Sequence, residues 1–285
     1  MSRVIDIHTH TFPDKIASRA LESLSSKSHT KYFTDGTIKA LKESMTAAGV
    51  DYSVILPVAT RLEQVEKINN SAIEINSRER NLISFGAMHP DYENYSRELE
   101  RIYKSGIKGI KIHPVYQGVN INDERYIRIL TQAAELGLIV LIHAGRDIGF
   151  PDSECAMPVK ILDALKKSDS GRIILAHMGG WRCWDEVCNL FAGRENIYID
   201  TAFSLGAFIP NDDSYYKSHD ECKMLSSQEF TRIIRTFGAE RVLFGTDSPW
   251  SSQLDSVKEF ESLELTDSEK ELILFGNAAR LLCIQ

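Results

Sequence analysis

His8 and His10 stand two apart at the end of the apolar run VIDIHTHTFP. On an extended strand residues i and i+2 face the same way, so Asp6, His8 and His10 share one face while Ile5 and Ile7 take the other. Two imidazoles on one face can close on one ion. Further apolar runs end in the same residue types: LIVLIHAG in His143, IILAHMGG in His177 and VLFGTDSPW in Asp247, while GIKIHP carries Lys111 and His113. Neutral imidazoles together with a carboxylate form a donor set for Zn²⁺, and also for Mn²⁺, Fe²⁺ or Co²⁺. His8, His10, His143 and Asp247 supply four such donors and leave a position for water. An ion held this way lowers the pKa of water to about 7, so that hydroxide exists at neutral pH. Asp247 is then the group to accept the proton and deliver it to a leaving group.

Those residues need a frame. Short apolar runs with strand character recur at 4–10, 52–56, 82–88, 107–113, 138–143, 173–177, 197–201 and 242–247, and stretches of helical periodicity such as ERYIRILTQAAELG and SQEFTRIIRTFG lie between them. Alternating strands and helices predict a parallel sheet, and eight such units predict a closed (β/α)₈ TIM barrel, an α/β fold, as a single domain over residues 1–285. The competing open, doubly wound sheet loses support because no GxGxxG follows any strand. In a barrel, chemistry sits at the C-terminal ends of the strands, which is where these histidines and the aspartate stand. Strand parity points Ile110 and Ile112 toward the helices and Gly109, Lys111 and His113 inward. Gly245 shares the inward face with Asp247, and its small size is read as room for a ligand. His143 and His177 are assigned the last positions of their strands. The stretches 11–36 and 203–225 are long for barrel loops and are read as lids over the site.

Composition narrows the partners. The 285 residues carry 33 Lys and Arg against 40 Asp and Glu, a formal net charge of -7, and no basic run makes a footprint for nucleic acid. The cysteines at 155, 183, 188, 222 and 283 lack CxxC spacing, which predicts buried thiols rather than a disulfide framework or structural zinc. The sequence moves almost at once into the VIDI strand, without the basic and apolar regions of a signal peptide, and no apolar run approaches a membrane span. The expectation is a soluble cytoplasmic protein whose partner is a small-molecule substrate, with loop Trp and Tyr residues available for a homo-oligomer interface.

The motifs IDIHTH, IKIHPVYQG, IHAG, AHMGGW, FGTDSPW and GNAARLL, in that order over nearly the whole chain, resemble the amidohydrolase superfamily, in particular its amidohydrolase-2 family of metal-dependent hydrolases and decarboxylases. The resemblance implies that His8, His10, His143 and Asp247 are metal ligands. It makes His177 the histidine that polarises the substrate or assists proton transfer, with ligation of a second metal as the alternative. In binuclear relatives a lysine at the end of strand four is a carbamylated bridge; Lys111 is read instead as an ammonium that meets a substrate carboxylate. One divalent ion, Zn²⁺ first, is therefore expected, ahead of a second metal. His113, Arg146, Trp181, Arg182 and Trp250 follow or sit on these strands and are assigned to the substrate pocket. The first expectation for activity is hydrolysis of a cyclic amide, amide or lactone. The alternative is nonoxidative decarboxylation of a small unsaturated or aromatic acid, and the remaining one is a metal-binding barrel without catalysis.

Overall fold

The computed structural model describes residues 3–168, 171–212 and 214–284. Strands alternate with helices throughout: β1 (Ile5–Thr9), β2 (Tyr52–Ile55), β3 (Leu82–Ser84), β4 (Gly86–Ala87), β5 (Gly109–Ile112), β6 (Ile139–Ile142), β7 (Ile173–Leu175), β8 (Ile197–Asp200) and β9 (Val242–Leu243). Contacts divide the chain into two compact units. One comprises Met1–Ser53, Ile148–Phe150 and Asp200–Gln285; the other comprises Val54–Asp147 and Pro151–Ile199.

The second unit is a parallel sheet with strands in the order β4-β5-β6-β7-β8. Its register pairs Gly86 with Ile110, Gly109 with Ile139, Val140 with Ile173 and Leu175 with Ile199. Every residue of β5, β6 and β7 is buried, as strands covered on both faces must be. Lys111 is buried among them at 1% exposure.

The run expected as one strand over 82–88 is two strands, and the reason is chemical. Asn76, on the helix Val65–Arg78, accepts from Ser84 N at 2.6 Å and donates to Ser84 O at 3.0 Å. Asn69 on the same helix accepts from Ala87 N at 2.8 Å. Side chains thus satisfy backbone groups that a neighbouring strand would otherwise have to pair. Phe85, at the break, packs where Gly109 has no side chain: a Cβ there would meet the Phe85 ring at 2.6 Å.

In the first unit β1 is joined to the chain around β9 by Ile7 N to Phe244 O at 2.9 Å and Asp247 N to His8 O at 2.8 Å. Thr201, just past β8, donates from its backbone to Leu243 O at 3.0 Å. The two stretches expected as lids are more ordered than loops. Residues 11–36 contain the helix Asp14–Ser28, and the chain just past that helix is laced to the segment after β8 by Lys31 N to Ile209 O at 2.8 Å and Asn211 N to His29 O at 3.0 Å. His29 is half-buried and stacks on Tyr215 with ring centroids 3.5 Å apart. Among the described residues no helix is long and apolar enough to cross a membrane, and all five cysteines are free.

Gly145 marks where the chain turns after β6. Its φ is +83°, and a Cβ there would lie against Trp181 N and O, which leaves no space for any side chain. Gly145→Ala is expected to destabilise the protein by about 3 kcal/mol or more, from left-handed strain plus a backbone clash. Chemical denaturation of the variant beside the parent checks this.

Candidate metal centre

In the first unit three donors converge. His8 lies within β1 and His10 one residue beyond it. His8 Nε2 is 3.2 Å from His10 Nε2 and 3.4 Å from Asp247 Oδ1, and His10 Nε2 is 3.0 Å from that same oxygen. Separations of this size suit atoms that each bond one ion at about 2.0–2.2 Å. The other ring nitrogen of His8, Nδ1, lies 2.8 Å from Asp200 Oδ2, with both side chains fully buried. A carboxylate at that distance holds the proton on Nδ1 and leaves the Nε2 lone pair for a cation.

Asp6 fastens this arrangement from below. Its carboxylate accepts from His8 N at 3.1 Å, Thr246 N at 3.0 Å, Thr246 Oγ1 at 2.6 Å and Gln253 Nε2 at 2.7 Å. Complete burial pushes its carboxyl up to about 6 even though those hydrogen bonds oppose the shift. Asp247 adopts φ +68°, an uncommon backbone for a residue with a side chain. That conformation costs about 1–3 kcal/mol and tends to persist where surrounding structure enforces it. Here the enforcement comes from Asp247 N donating to His8 O and from Trp250 N donating to Asp247 O, both at 2.8 Å. Gly245 lets the His8 side chain come close: a Cβ on Gly245 would meet His8 Cβ at 2.9 Å.

The second unit holds its own cluster. β6 ends at Ile142 and β7 at Leu175, so His143 follows its strand by one residue and His177 by two, rather than closing them. His177 has φ +62°, a second strained histidine or aspartate position. His177 Nε2 lies 3.2 Å from His143 Nδ1, and the His143 ring stacks on His113 with centroids 4.0 Å apart. Asp147 Oδ2 is 3.5 Å from His143 Nε2 and 3.7 Å from His113 Nε2. Burial, followed by the positive charges of His113, His177 and Lys111, holds the His143 pKa well below the usual histidine range. The ring is therefore neutral at pH 7, as a metal ligand must be. His143 Nε2 is buried and has no hydrogen-bond partner among the described residues, with Asp147 Oδ2 its near neighbour at 3.5 Å.

His113 differs from His143. Its Nδ1 accepts from Tyr116 N at 3.3 Å, capping the short helix Pro114–Gln117. In the neutral ring the proton then sits on Nε2, which makes His113 a hydrogen-bond donor to the pocket and a poor ligand. The pocket residues expected from the sequence separate by exposure. Trp181 is buried and linked by Arg146 N to Trp181 O at 3.0 Å, whereas the Arg146 and Arg182 side chains are exposed. Arg146 reaches Pro151 O at 3.2 Å, and the Arg182 guanidinium lies 4.9 Å over the Trp181 ring. Trp250, in the first unit, is half-buried.

Two acids escaped the sequence reading. Asp200 closes IYID, and the rule applied to the other strand ends, a titratable residue where an apolar run stops, was enough to find it. Asp147 lies in a turn four residues after His143, where no periodicity marks it. With Asp200 holding the His8 tautomer, Asp200→Asn is expected to lower metal affinity about 10–100-fold, which a competition titration against a chromophoric chelator measures.

The donor chemistry in each unit, the bare His143 nitrogen above all, fits a divalent metal ion. Comparisons with known proteins agree. No curated protein matches this chain. Solved structures share its fold at low identity. An uncharacterised TIM-barrel protein from Bordetella bronchiseptica is 16% identical with a TM-score of 0.75, over 99% of this chain and 98% of that one. A 2,6-dihydroxybenzoate decarboxylase complexed with 2,6-dihydroxybenzoate is 15% identical with a TM-score of 0.70, over all of both chains. A dihydroxybenzoic acid decarboxylase from Polaromonas, with bound manganese and the inhibitor 2-nitroresorcinol, is 16% identical with a TM-score of 0.70, over 100% of this chain and 98% of that one. The fold is thus the α/β TIM barrel, and the sequence profile described as Amidohydrolase matches residues 5–284. The chain belongs to the amidohydrolase-2 family of enzymes.

Proposed function

We propose that the protein is a metal-dependent decarboxylase of a small carboxylic acid. The observation that carries the reading is Lys111, a cation kept at 1% exposure whose charge is felt at His143. An ammonium carried on β5 beside His113 and His143 can bind a substrate carboxylate. The decarboxylases among the structural neighbours support the same choice, and it reverses the order of the two activities expected from sequence. The family profile runs through both units, which supports reading residues 1–285 as one working domain.

His8, His10 and Asp247 would hold the ion, with His143 the fourth ligand that the family resemblance implies. When bound, the ion supplies a Lewis acid that neutralises and orients an acid, with Zn²⁺ or Mn²⁺ as the metals to try first. Asp200 keeps the proton of His8 on Nδ1. His113 offers an Nε2 proton to the substrate, and Lys111 binds its carboxylate. His177 or Asp247 gives a proton to the carbon that bears the carboxylate; the carbon–carbon bond then breaks, its electron pair returns to that carbon, and carbon dioxide leaves. Hydrolysis is the second reading, favoured by the position of Asp247 Oδ1 within 3.0–3.4 Å of both first-unit histidines, where it can take a proton from an attacking water.

The metal-loaded enzyme is to be assayed for carbon dioxide release from aromatic and unsaturated acids, beside hydrolysis of lactones and amides. Carbon dioxide release lost in Lys111→Met supports the decarboxylase. Turnover confined to lactones or amides makes the protein a hydrolase. Binding of metal without any turnover leaves a non-catalytic barrel.

A further inference from the structure

The first unit contains a cavity of about 200 Å³ that the decarboxylation chemistry does not use. It has room for more than a single water. Its walls are aromatic, with Phe203, Phe208 and Trp250 among the lining rings, and Phe33 stands at the rim. Two carboxylates also line it, Asp255 and Glu259, one turn apart on the helix Gln253–Glu261. Among the described residues neither carboxylate has an ion-pair or side-chain hydrogen-bond partner. The Glu259 carboxylate lies beside the backbone of Gly206: both its oxygens are 3.9–4.0 Å from where a Cβ on Gly206 would stand.

We propose that this cavity binds a small organic ammonium ion, with Asp255 and Glu259 meeting its charge and the aromatic wall its carbon skeleton. The two halves of the lining ask for one ligand chemistry. Carboxylates lining the same cavity as aromatic rings favour a cation, and aromatic faces attract cations through their ring quadrupoles. A hydrated inorganic cation gains nothing from the rings, whereas an alkylammonium buries apolar surface against them. One lining ring already carries such a charge: Lys31 Nζ lies 5.6 Å over the Phe33 centroid. Burial and the neighbouring Asp255 push the Glu259 carboxyl up, a strain that an incoming cation relieves. The proposal does not depend on the metal or on the reaction catalysed.

The probes are n-butylammonium, n-butanol and butyrate, titrated into the full-length protein with heat or Trp250 fluorescence as readout. The variants are Asp255→Asn with Glu259→Gln, both at exposed positions, and separately Ala207→Trp, which fills the cavity from its rim. The expected result is binding of n-butylammonium ahead of both other probes, about ten-fold weaker in the double amide variant and abolished in Ala207→Trp. Equal binding of the amine and the alcohol, an unchanged affinity in the double variant, or no binding of the amine would each overturn the proposal. Assaying binding with and without bound metal keeps its failure separate from failure of the decarboxylase reading.

Discussion

Asp247→Asn is expected to cut turnover about 10²–10⁴-fold while the protein keeps its fold. The amide is the size of the carboxylate, and the backbone hydrogen bond from Asp247 N to His8 O at 2.8 Å is untouched, so the strained φ of +68° survives. What disappears is the negative oxygen 3.0 Å from His10 Nε2 and 3.4 Å from His8 Nε2. That oxygen has two duties, to balance the charge of an ion and to carry a proton, and an amide performs neither. Measuring kcat/KM and metal content together separates them. Metal retained with turnover lost assigns the proton; metal and turnover lost together assign ligation; unchanged turnover removes Asp247 from the mechanism.

Stripping the metal with a chelator is the second large effect. An ion that binds only the folded chain stabilises it by about 4 kcal/mol when its free concentration is a thousand times the dissociation constant. For a chain of this size that is a fall in Tm on the order of 10 °C upon chelation. Readdition of Zn²⁺ or Mn²⁺ is expected to restore both Tm and activity. The physical reason is local: His143 Nε2 is buried without a hydrogen-bond partner among the described residues, and His8, His10 and Asp247 offer donor atoms close enough together to share one ion. A Tm that ignores both the chelator and the added metals sinks the metal reading.

The sequence made the barrel and the strand-end residues legible because both depend on short-range regularities. Apolar runs separated by amphipathic helices imply parallel strands whatever the exact register, and a histidine or aspartate where a run stops needs no knowledge of the rest of the chain. The split at Phe85 escaped because it depends on Asn76 and Asn69 reaching from a helix to strand backbone, a contact that no pattern of apolar residues encodes. The close approach of His8 to Gly245 is likewise a matter of tertiary packing that no local pattern carries. Asp147 was invisible for a similar reason: its distances to His143 and His113 arise from the fold of a turn. The helix Asp14–Ser28 escaped because residues 11–36 were read on length alone.

The division of the chain into two units also bears on the order of synthesis. The second unit is drawn almost wholly from one stretch, 54–199, while the first combines the opening 53 residues with everything after Asp200. His8 and His10 therefore emerge from the ribosome long before Asp200 and Asp247 exist to complete their surroundings. A nascent chain stopped short of Asp200 carries both imidazoles and neither of the carboxylates that meet them, so the first unit's donor set is completed only late in synthesis. Premature termination between residues 200 and 247 would remove Asp247 from the donor set while sparing the whole span that forms the second unit.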